Sequence, residues 1–269
     1  MKRPARLVLL GHPVAHSLSP RMQNAALAAA GIGVHYSVLD VEPPGISVVI
    51  DELRKEGGAG NVTIPHKQTV FALCGRVTEV ARTTHGVNTF WFEEGALVGT
   101  NTDVGGFDGA ARNLMTQNGR ALPRRVTLLG AGGSAAAVAT AISGWQGTEL
   151  TIWSRTEHSA SNLAQRFDCA HAERDLTLAV AGAELIVNAT PIGLTDDLLP
   201  VPIELLGPDA AVMDLVYRAR DTPWVRAARS AGLPAVDGLP MLVEQGALAF
   251  ECWFGFAPDR RVMWEAAVA

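Results

Sequence analysis

The 269-residue chain is poor in the residues that build disulfide frameworks and metal centres. Its three cysteines, Cys74, Cys169 and Cys252, lie far apart and form no Cys-x-x-Cys pair. Such cysteines are typical of reduced thiols, so we expect a cytoplasmic protein without disulfides. The seven histidines show no metal-ligand spacing, and we therefore expect no metal site.

The chain also lacks long apolar runs and clustered positive charge. The apolar run over residues 7–10 is too short for a signal segment and predicts a first buried strand. No run approaches membrane-spanning length. The net charge is −5, without a basic stripe, which argues against nucleic acid. We expect neither a membrane nor a nucleic acid partner, and the sequence leaves open whether the chain is a monomer or a homodimer.

A glycine-rich turn near the middle of the chain organises its second half. A strand-like run over residues 125–129 leads into Gly-x-Gly-x-x-Ala, and an alanine-rich helical pattern follows. Gly130 permits the tight turn, Gly132 lets a pyrophosphate approach the backbone, and Ala135 lets helix and strand pack closely. In this strand–turn–helix context, the motif predicts a nucleotide site. Its residues are Gly130, Ala131, Gly132, Gly133, Ser134 and Ala135.

Strand-like and helix-like segments alternate along the whole chain, which predicts an α/β protein. In the first half we expect strands at 6–11, 34–41 and 61–64, a hairpin of 87–92 and 96–100, and helices between them. Ser19 should cap the first helix, with Pro20 at its first position. Strands at 126–129, 149–153, 185–188 and 211–215 predict a mostly parallel, doubly wound sheet. Residues 104–106 should form a flexible joint, and 240–256 a final amphipathic helix.

Two polar groups in the first half are candidates for binding and catalysis. Ser17 and Ser19 stand at a helix start, where free amides and hydroxyls could hold a carboxylate, but this motif alone favours plain capping by Ser19, with Ser17 as an ordinary loop serine. Thr63 and Lys67 follow a buried strand, close to the sheet edge where α/β proteins bind ligands. Polar side chains in loops are common, so each residue is weak evidence by itself.

Taken together, the polar residues favour dehydrogenase chemistry on a hydroxylated ring. A lysine beside a carboxylate, here Lys67 with Asp103, can exchange a proton with an alcohol while a hydride leaves its carbon. Asn88, Thr63 and the two serines could hold the ring through neutral hydrogen bonds.

Seven motifs in the same order make the chain resemble the shikimate dehydrogenase family over essentially its full length. The most specific are His-Ser-Leu-Ser-Pro at 16–20 and Asn-Val-Thr-Ile-Pro-His-Lys at 61–67. The others are Val-Asn-Thr at 87–89, Asn-Thr-Asp at 101–103, the turn at 130–135, Asn-Ala-Thr-Pro at 188–191 and Asp-Gly-Leu-Pro-Met at 237–241.

The resemblance implies NADPH-dependent, reversible reduction of 3-dehydroshikimate to shikimate, in chorismate and aromatic amino acid biosynthesis. It implies Lys67 and Asp103 as the catalytic pair. The implied substrate positions are Ser17, Ser19, Thr63, Lys67, Asn88, Asp103, Tyr217 and Gln245. Thr190 and Gly238 match cofactor positions, Gly238 through a backbone contact to the nicotinamide.

The resemblance also implies two domains. We expect a substrate-binding catalytic domain over residues 1–104, to which a C-terminal segment over 240–269 returns, and an NADP-binding Rossmann domain over 105–239. The active site should lie in the cleft between them, with hinge closure at 104–106 and near Gly238.

The residues after the second strand of the nucleotide domain favour NADP over NAD. That strand ends in Ser154, Arg155 and Thr156, where NAD sites usually carry an acidic residue. Arg155 can meet a 2′-phosphate with charge-assisted hydrogen bonds, and the two hydroxyls can add neutral ones. Glu157 is close by, and Ser159 stands where many family members carry a second arginine. We therefore expect a weaker preference for NADP than a site with two arginines gives.

Two further departures from the family pattern, His85-Gly86 and Thr100, we interpret as harmless. The alternative functions are a quinate or aminoshikimate dehydrogenase and a catalytically silent nucleotide-binding regulator on the same scaffold. Ser17 and Ser19 favour shikimate over quinate, and retention of Lys67 with Asp103 argues against the regulator. A folate-type dehydrogenase would not explain His-Ser-Leu-Ser-Pro.

Overall fold

The computed structural model describes residues 3–269, which divide into two compact units. The first unit holds the residues up to Gly106 together with Leu242–Ala269, and the second holds Phe107–Met241. Within residues 3–269, no helix combines the length and the apolar character that crossing a membrane requires.

The first unit is built on a mixed six-stranded sheet. In chain order its strands are β1 (Arg6–Gly11), β2 (Tyr36–Asp40), β3 (Gly58–Val62), β4 (Arg76–Val77), β5 (Thr89–Glu93) and β6 (Ala96–Thr100), and the spatial order is β2-β1-β3-β5-β6-β4. β1 pairs in parallel with β2 and β3, whereas β5 is antiparallel to β3 and β6. The helices up to this point are α1 (Ser19–Ala29), α2 (Ile46–Glu56), α3 (Lys67–Leu73) and α4 (Glu79–Thr84), with a short 3₁₀ turn at Pro43–Gly45.

The second unit has the doubly wound parallel sheet that the sequence predicts. Its strands are β7 (Arg125–Leu129), β8 (Glu149–Trp153), β9 (Ala170–Ala172), β10 (Leu185–Asn188), β11 (Ala211–Asp214) and β12 (Ala235–Val236), and all pair in parallel in the order β12-β11-β10-β7-β8-β9. The helices that follow in the chain are α5 (Asp103–Gln117), α6 (Gly133–Ser143), α7 (Glu157–Ala164), α8 (Leu176–Val180) and α9 (Pro223–Ser230), with a 3₁₀ turn at Ile203–Leu205. The strand order reverses between β7 and β10, and ligands bind beyond the carboxyl ends of strands at such a switch point.

The chain ends with two helices, α10 (Leu239–Phe254) and α11 (Arg260–Val268). The first unit has two hydrophobic cores, one on each face of its sheet, and successive residues of β1 contribute to them in turn. Leu7 and Leu9 lie in a cluster with Phe250 and Trp253 of α10, whereas Val8 and Leu10 lie in a cluster on the opposite face. Both faces of the sheet are therefore covered, and α10 is a central packing element rather than the amphipathic final helix that we expected.

Several boundaries differ from the sequence predictions. β3 covers Gly58–Val62 instead of 61–64, and the residues 76–77, 79–84 and 260–268 form elements that the sequence reasoning missed. The sequence predicts a flexible joint at residues 104–106, but these residues are helical and lie in the first turn of α5. That prediction of local structure is wrong. A Cβ built on Gly105 would lie 2.6 Å from Leu248 Cδ1, so this glycine serves close packing against α10.

Candidate active site

Lys67 and Asp103 form an ion pair in the first unit. Lys67 is the first residue of α3 and Asp103 the first residue of α5. The Lys67 ammonium donates a hydrogen bond to Asp103 Oδ2, and the two side chains are only 16% and 10% exposed. The Val87 backbone N–H donates to the Lys67 carbonyl at 3.0 Å. The pair is therefore fixed from both sides and largely shielded from solvent, as a proton-transfer pair needs to be.

The amide of Asn88 joins this pair to further polar residues. Asn88 Nδ2 lies 2.7 Å from Asp103 Oδ1 and 3.5 Å from Gln245 Oε1. The Thr102 backbone N–H donates to Asn88 Oδ1 at 2.7 Å. The structure thus brings together four of the predicted site residues: Lys67, Asn88, Asp103 and Gln245.

Asn101 is a residue of this cluster that the sequence reasoning did not assign a role. Its Oδ1 accepts a hydrogen bond from the Asp103 backbone N–H at 3.1 Å. Its Nδ2 donates to Thr84 Oγ1 at 3.1 Å and to the Gly86 carbonyl at 3.0 Å. Asn101 therefore ties the start of α5 to the end of α4. Its position beside Asp103 in the Asn-Thr-Asp motif was the signal available in the sequence.

Ser17, Ser19 and Thr63 lie at the edge of the sheet where β1 and β3 end. A Cβ on Gly11 would lie only 2.5 Å from Thr63 Cγ2, so these two residues are in close contact. The predicted capping by Ser19 is wrong, because Leu18 occupies the cap position in helical conformation. Instead, Ser17 Oγ accepts from the Ser19 backbone N–H at 3.2 Å. Among residues 3–269, no hydrogen bond joins either serine to Lys67.

In the second unit, the glycine-rich turn has the geometry of a phosphate-binding loop. Gly130 has φ of 110°, and a Cβ there would lie 3.0 Å from the Ala189 carbonyl oxygen. A Cβ on Gly132 or Gly133 would meet nothing within 4 Å, so the backbone is open to a ligand at these two residues. α6 starts at Gly133 without a side-chain cap, while Ala135 is fully buried. The turn and the first amides of α6 fit a pyrophosphate.

The residues after β8 present one free arginine. Arg155 is exposed and makes no ion pair within the described part of the chain. Ser154 Oγ accepts from the Thr156 backbone N–H at 3.4 Å, so the segment turns tightly. Glu157 forms an ion pair with Arg174, which offsets its negative charge near the predicted 2′-phosphate position. Ser159 lies in α7.

Thr190 follows β10 and belongs to a buried network. Its hydroxyl donates to Asn188 Oδ1 at 2.6 Å, and Asn188 Nδ2 donates to Asp214 Oδ1 at 2.8 Å. Thr222 Oγ1 donates to Asp214 Oδ2 at 2.6 Å. Burial raises the pKa of Asp214, although these hydrogen bonds oppose the rise. Sequence reasoning missed Asp214 and Thr222, which fix the loops that follow β10 and β11.

Tyr217 and Gly238 lie side by side in the second unit. A Cβ on Gly238 would lie 2.3 Å from the Leu215 carbonyl oxygen and 3.3 Å from Tyr217 Cδ1. The Gly238 N–H donates to the Val216 carbonyl at 3.0 Å. Only glycine fits so close to this backbone.

The three cysteine thiols lie in partly buried surroundings. Burial raises the pKa of Cys74 to about 12 and raises those of Cys169 and Cys252. In residues 3–269, no three His, Cys, Asp or Glu side chains are grouped as metal ligands.

Two family models match the chain. The one described as the shikimate dehydrogenase substrate binding domain matches residues 9–90, and the one described as the shikimate 5′-dehydrogenase C-terminal domain matches residues 238–268. A relative from Rubrobacter xylanophilus, called shikimate dehydrogenase (NADP(+)), is 45% identical, and the match covers 96% of this chain and 93% of the relative.

Solved structures are similar to this chain over nearly its full length. The shikimate 5-dehydrogenase of Thermus thermophilus, solved with NADP(H) and shikimate, is 39% identical with a TM-score of 0.89, covering 97% of this chain and 98% of the other. The quinate dehydrogenase of Corynebacterium glutamicum, solved with NAD, is 28% identical with a TM-score of 0.90, covering 98% and 99%. On the evidence of its sequence motifs, its fold and these full-length matches, the chain belongs to the shikimate dehydrogenase family.

Proposed function

We propose that the protein catalyses the NADP-dependent, reversible reduction of 3-dehydroshikimate to shikimate, in chorismate and aromatic amino acid biosynthesis. The observation that carries this proposal is the shielded Lys67–Asp103 pair with Asn88 and Gln245 beside it. The relatives from Rubrobacter and Thermus, whose names or complexes specify shikimate and NADP, support the same substrate and cofactor.

In this mechanism the lysine handles the proton. The turn over residues 130–135 would hold NADPH, which would supply the hydride for the carbonyl carbon. Lys67 Nζ donates a proton to the carbonyl oxygen as it becomes a hydroxyl, and in the oxidation direction it takes that proton back. Asp103 orients the ammonium group through their ion pair. Asn88 and Gln245 hold the ring hydroxyls by hydrogen bonds, together with Thr63 and Tyr217.

The two serines bind the substrate carboxylate in this proposal. Ser17→Ala and Ser19→Ala should each raise the KM for shikimate about 10-fold to 100-fold, since one hydrogen bond to a charged group is worth roughly 1.5–3 kcal/mol. Ser17→Ala should also lower the free energy of unfolding by about 0.5–1.5 kcal/mol, the net contribution of a typical hydrogen bond, because Ser17 Oγ accepts from the Ser19 N–H. Steady-state kinetics and thermal unfolding measure the two effects.

Ser47→Ala is the matched control, because Ser47 is exposed on α2. It should leave the KM unchanged. If a shikimate analogue that lacks the carboxylate is turned over by the wild type as well as shikimate, the serines do not form an anion site.

The cofactor preference depends on Arg155. Arg155→Ala should raise the KM for NADP⁺ by about 10-fold to 100-fold, since a charge-assisted hydrogen bond is worth roughly 1.5–3 kcal/mol, and should leave the KM for NAD⁺ nearly unchanged. The wild type should prefer NADP⁺. Kinetics with each cofactor at saturating shikimate test this expectation.

Ser159→Arg makes the opposite change, and it should tighten NADP⁺ selectively. Arg112→Ala serves as the control, because Arg112 is an arginine of the same unit that pairs with Asp108 on α5. Equal kcat/KM values for the two cofactors in the wild type, or equal losses for both in Arg155→Ala, would contradict the assignment.

A substrate panel decides between this function and its neighbours. Shikimate, quinate and an aminoshikimate should each be tested with both nicotinamide cofactors, and shikimate with NADP⁺ should give the highest kcat/KM. Quinate with NAD⁺ is the main alternative, because the similar structure from Corynebacterium is a quinate dehydrogenase solved with NAD. No turnover with any of the substrates would favour a silent nucleotide-binding regulator. A cytoplasmic location belongs to the same proposal and is supported by the free thiols.

A further inference from the structure

A buried chain of hydrogen bonds leads from Tyr36 to the carboxylate of Asp103. Tyr36 Oη donates to Asn61 Oδ1 at 2.8 Å, and Asn61 Nδ2 donates to Thr89 Oγ1 at 2.9 Å. Thr89 Oγ1 donates to Asn88 Oδ1 at 2.9 Å, and Asn88 Nδ2 donates to Asp103 Oδ1 at 2.7 Å. All five residues are buried, and Tyr36 and Thr89 are completely so. We refer to this arrangement as the Tyr36–Asp103 chain.

The direction of each hydrogen bond follows from neighbouring backbone groups that can only donate or can only accept. The Thr102 backbone N–H can only donate, so the Asn88 atom 2.7 Å away is the oxygen. The carboxylate of Asp103 then receives the Asn88 NH₂ group. Asn61 Nδ2 also donates to the backbone carbonyl oxygen of Asn88 at 3.2 Å. The other atom of the Asn61 amide, Oδ1, is therefore the one that accepts from Tyr36. Burial raises the pKa of Tyr36, so its hydroxyl keeps the proton that it donates.

The Thr89 hydroxyl connects the side-chain amide of Asn61 to the side-chain oxygen of Asn88. It accepts from Asn61 and donates to Asn88, and Thr89 lies on β5, which pairs with β3. Buried polar networks with every group satisfied make a site rigid, whereas a missing member leaves neighbouring groups without partners. Removing the Thr89 hydroxyl would leave Asn88 Oδ1 with the Thr102 backbone N–H and the Thr102 hydroxyl, and Asn61 Nδ2 with the Asn88 backbone carbonyl. The loss would therefore loosen both amides, since each gives up one of its hydrogen bonds.

We propose that Thr89 is a positioning residue for the reaction: its hydroxyl orients the Asn88 amide, which in turn holds Asp103 and, through it, Lys67. This inference rests on the proposed function, since it assumes that Lys67 and Asp103 carry the proton transfer. Thr89 itself does not reach the reacting atoms in this account.

Thr89→Val tests the proposal, because valine keeps the shape of threonine and removes the hydroxyl. Since misplacement of a catalytic group by about 1 Å can cost roughly 10²-fold, we expect kcat to fall by at least about tenfold, with the KM for NADP⁺ unchanged. Thr89→Ser keeps the hydroxyl and should retain kcat within roughly threefold of the wild type. The matched control is Thr127→Val in β7, which also removes one buried threonine hydrogen bond, to the Ala179 carbonyl, and should leave kcat unchanged.

A second readout does not depend on activity. The Asn88 side-chain NH₂ protons, followed by NMR, should exchange slowly with solvent in the wild type and faster in Thr89→Val. Should Thr89→Val fail to fold, Tyr36→Phe removes only the first donor and should give a smaller kcat loss with the same faster exchange. A wild type that does not oxidise shikimate would overturn the proposed function alone, since the Asn88 exchange still tests the positioning.

Three results would overturn the inference. The first is an equal kcat in Thr89→Val and Thr127→Val. The second is a Thr89→Ser variant as slow as Thr89→Val, which would assign the effect to packing. The third is Asn88 exchange that neither Thr89→Val nor Tyr36→Phe changes.

Discussion

Lys67→Ala should lower kcat for shikimate oxidation by about 10²–10⁴-fold, the usual contribution of a positioned acid or base. The KM for shikimate should change far less, because in the proposed mechanism Lys67 acts mainly in the transition state. The side chain is largely shielded and paired with Asp103, so solvent water is a poor replacement for it. Steady-state kinetics over a range of shikimate concentrations separate the two parameters.

Lys55→Ala is the matched control for this change. Lys55 is an exposed lysine in the last turn of α2, and its removal should leave both parameters unchanged. A Lys67→Ala enzyme with nearly normal kcat and a strongly raised KM would show that Lys67 binds the substrate without transferring the proton.

Asp103→Asn should reduce kcat by a factor similar to that expected for Lys67→Ala, because the neutral amide no longer holds the ammonium of Lys67. The two carboxylate oxygens each accept a hydrogen bond, from Lys67 and from Asn88, and an amide offers only one oxygen for both donors. Combining this change with Lys67→Ala should add little further loss, since groups that act as a unit are not additive. Kinetics of the two single variants and the double variant measure this coupling.

Asp51→Asn, at an exposed position of α2, should leave kcat unchanged and so controls for the loss of a carboxylate. If the losses of the two single variants multiply fully in the double variant, Lys67 and Asp103 act independently and the paired mechanism is wrong.

The parts of the fold that sequence predicted well are those with a strong local pattern. The turn from β7 to α6 combines an apolar run, two glycines and an alanine-rich helix, and the structure has Gly130 at a positive φ. Lys67 begins a helix, as its place after Pro65 predicts. The doubly wound order of the second unit follows from the alternation of strands and helices.

The parts that sequence reasoning missed depend on packing. β4 has only two residues and pairs only at the sheet edge, so it has no period to detect. Gly105 and Gly106 suggested a joint because glycine has a low helix propensity, yet tertiary packing overrides that propensity. The capping by Ser19 failed because Leu18 takes a helical conformation and shifts the helix start. The links from Asn61 to Thr89 and from Asn88 to Asp103 join residues from separate motifs, which one sequence cannot pair.

The Tyr36–Asp103 chain also limits where the reaction's proton can come from. Two of its links are asparagine amides, which donate and accept hydrogen bonds but have no proton to release at neutral pH. The Tyr36–Asp103 chain therefore holds side chains in position and cannot conduct protons between Asp103 and the protein interior. In the proposed mechanism the proton is therefore exchanged at Lys67, whose side chain is 16% exposed.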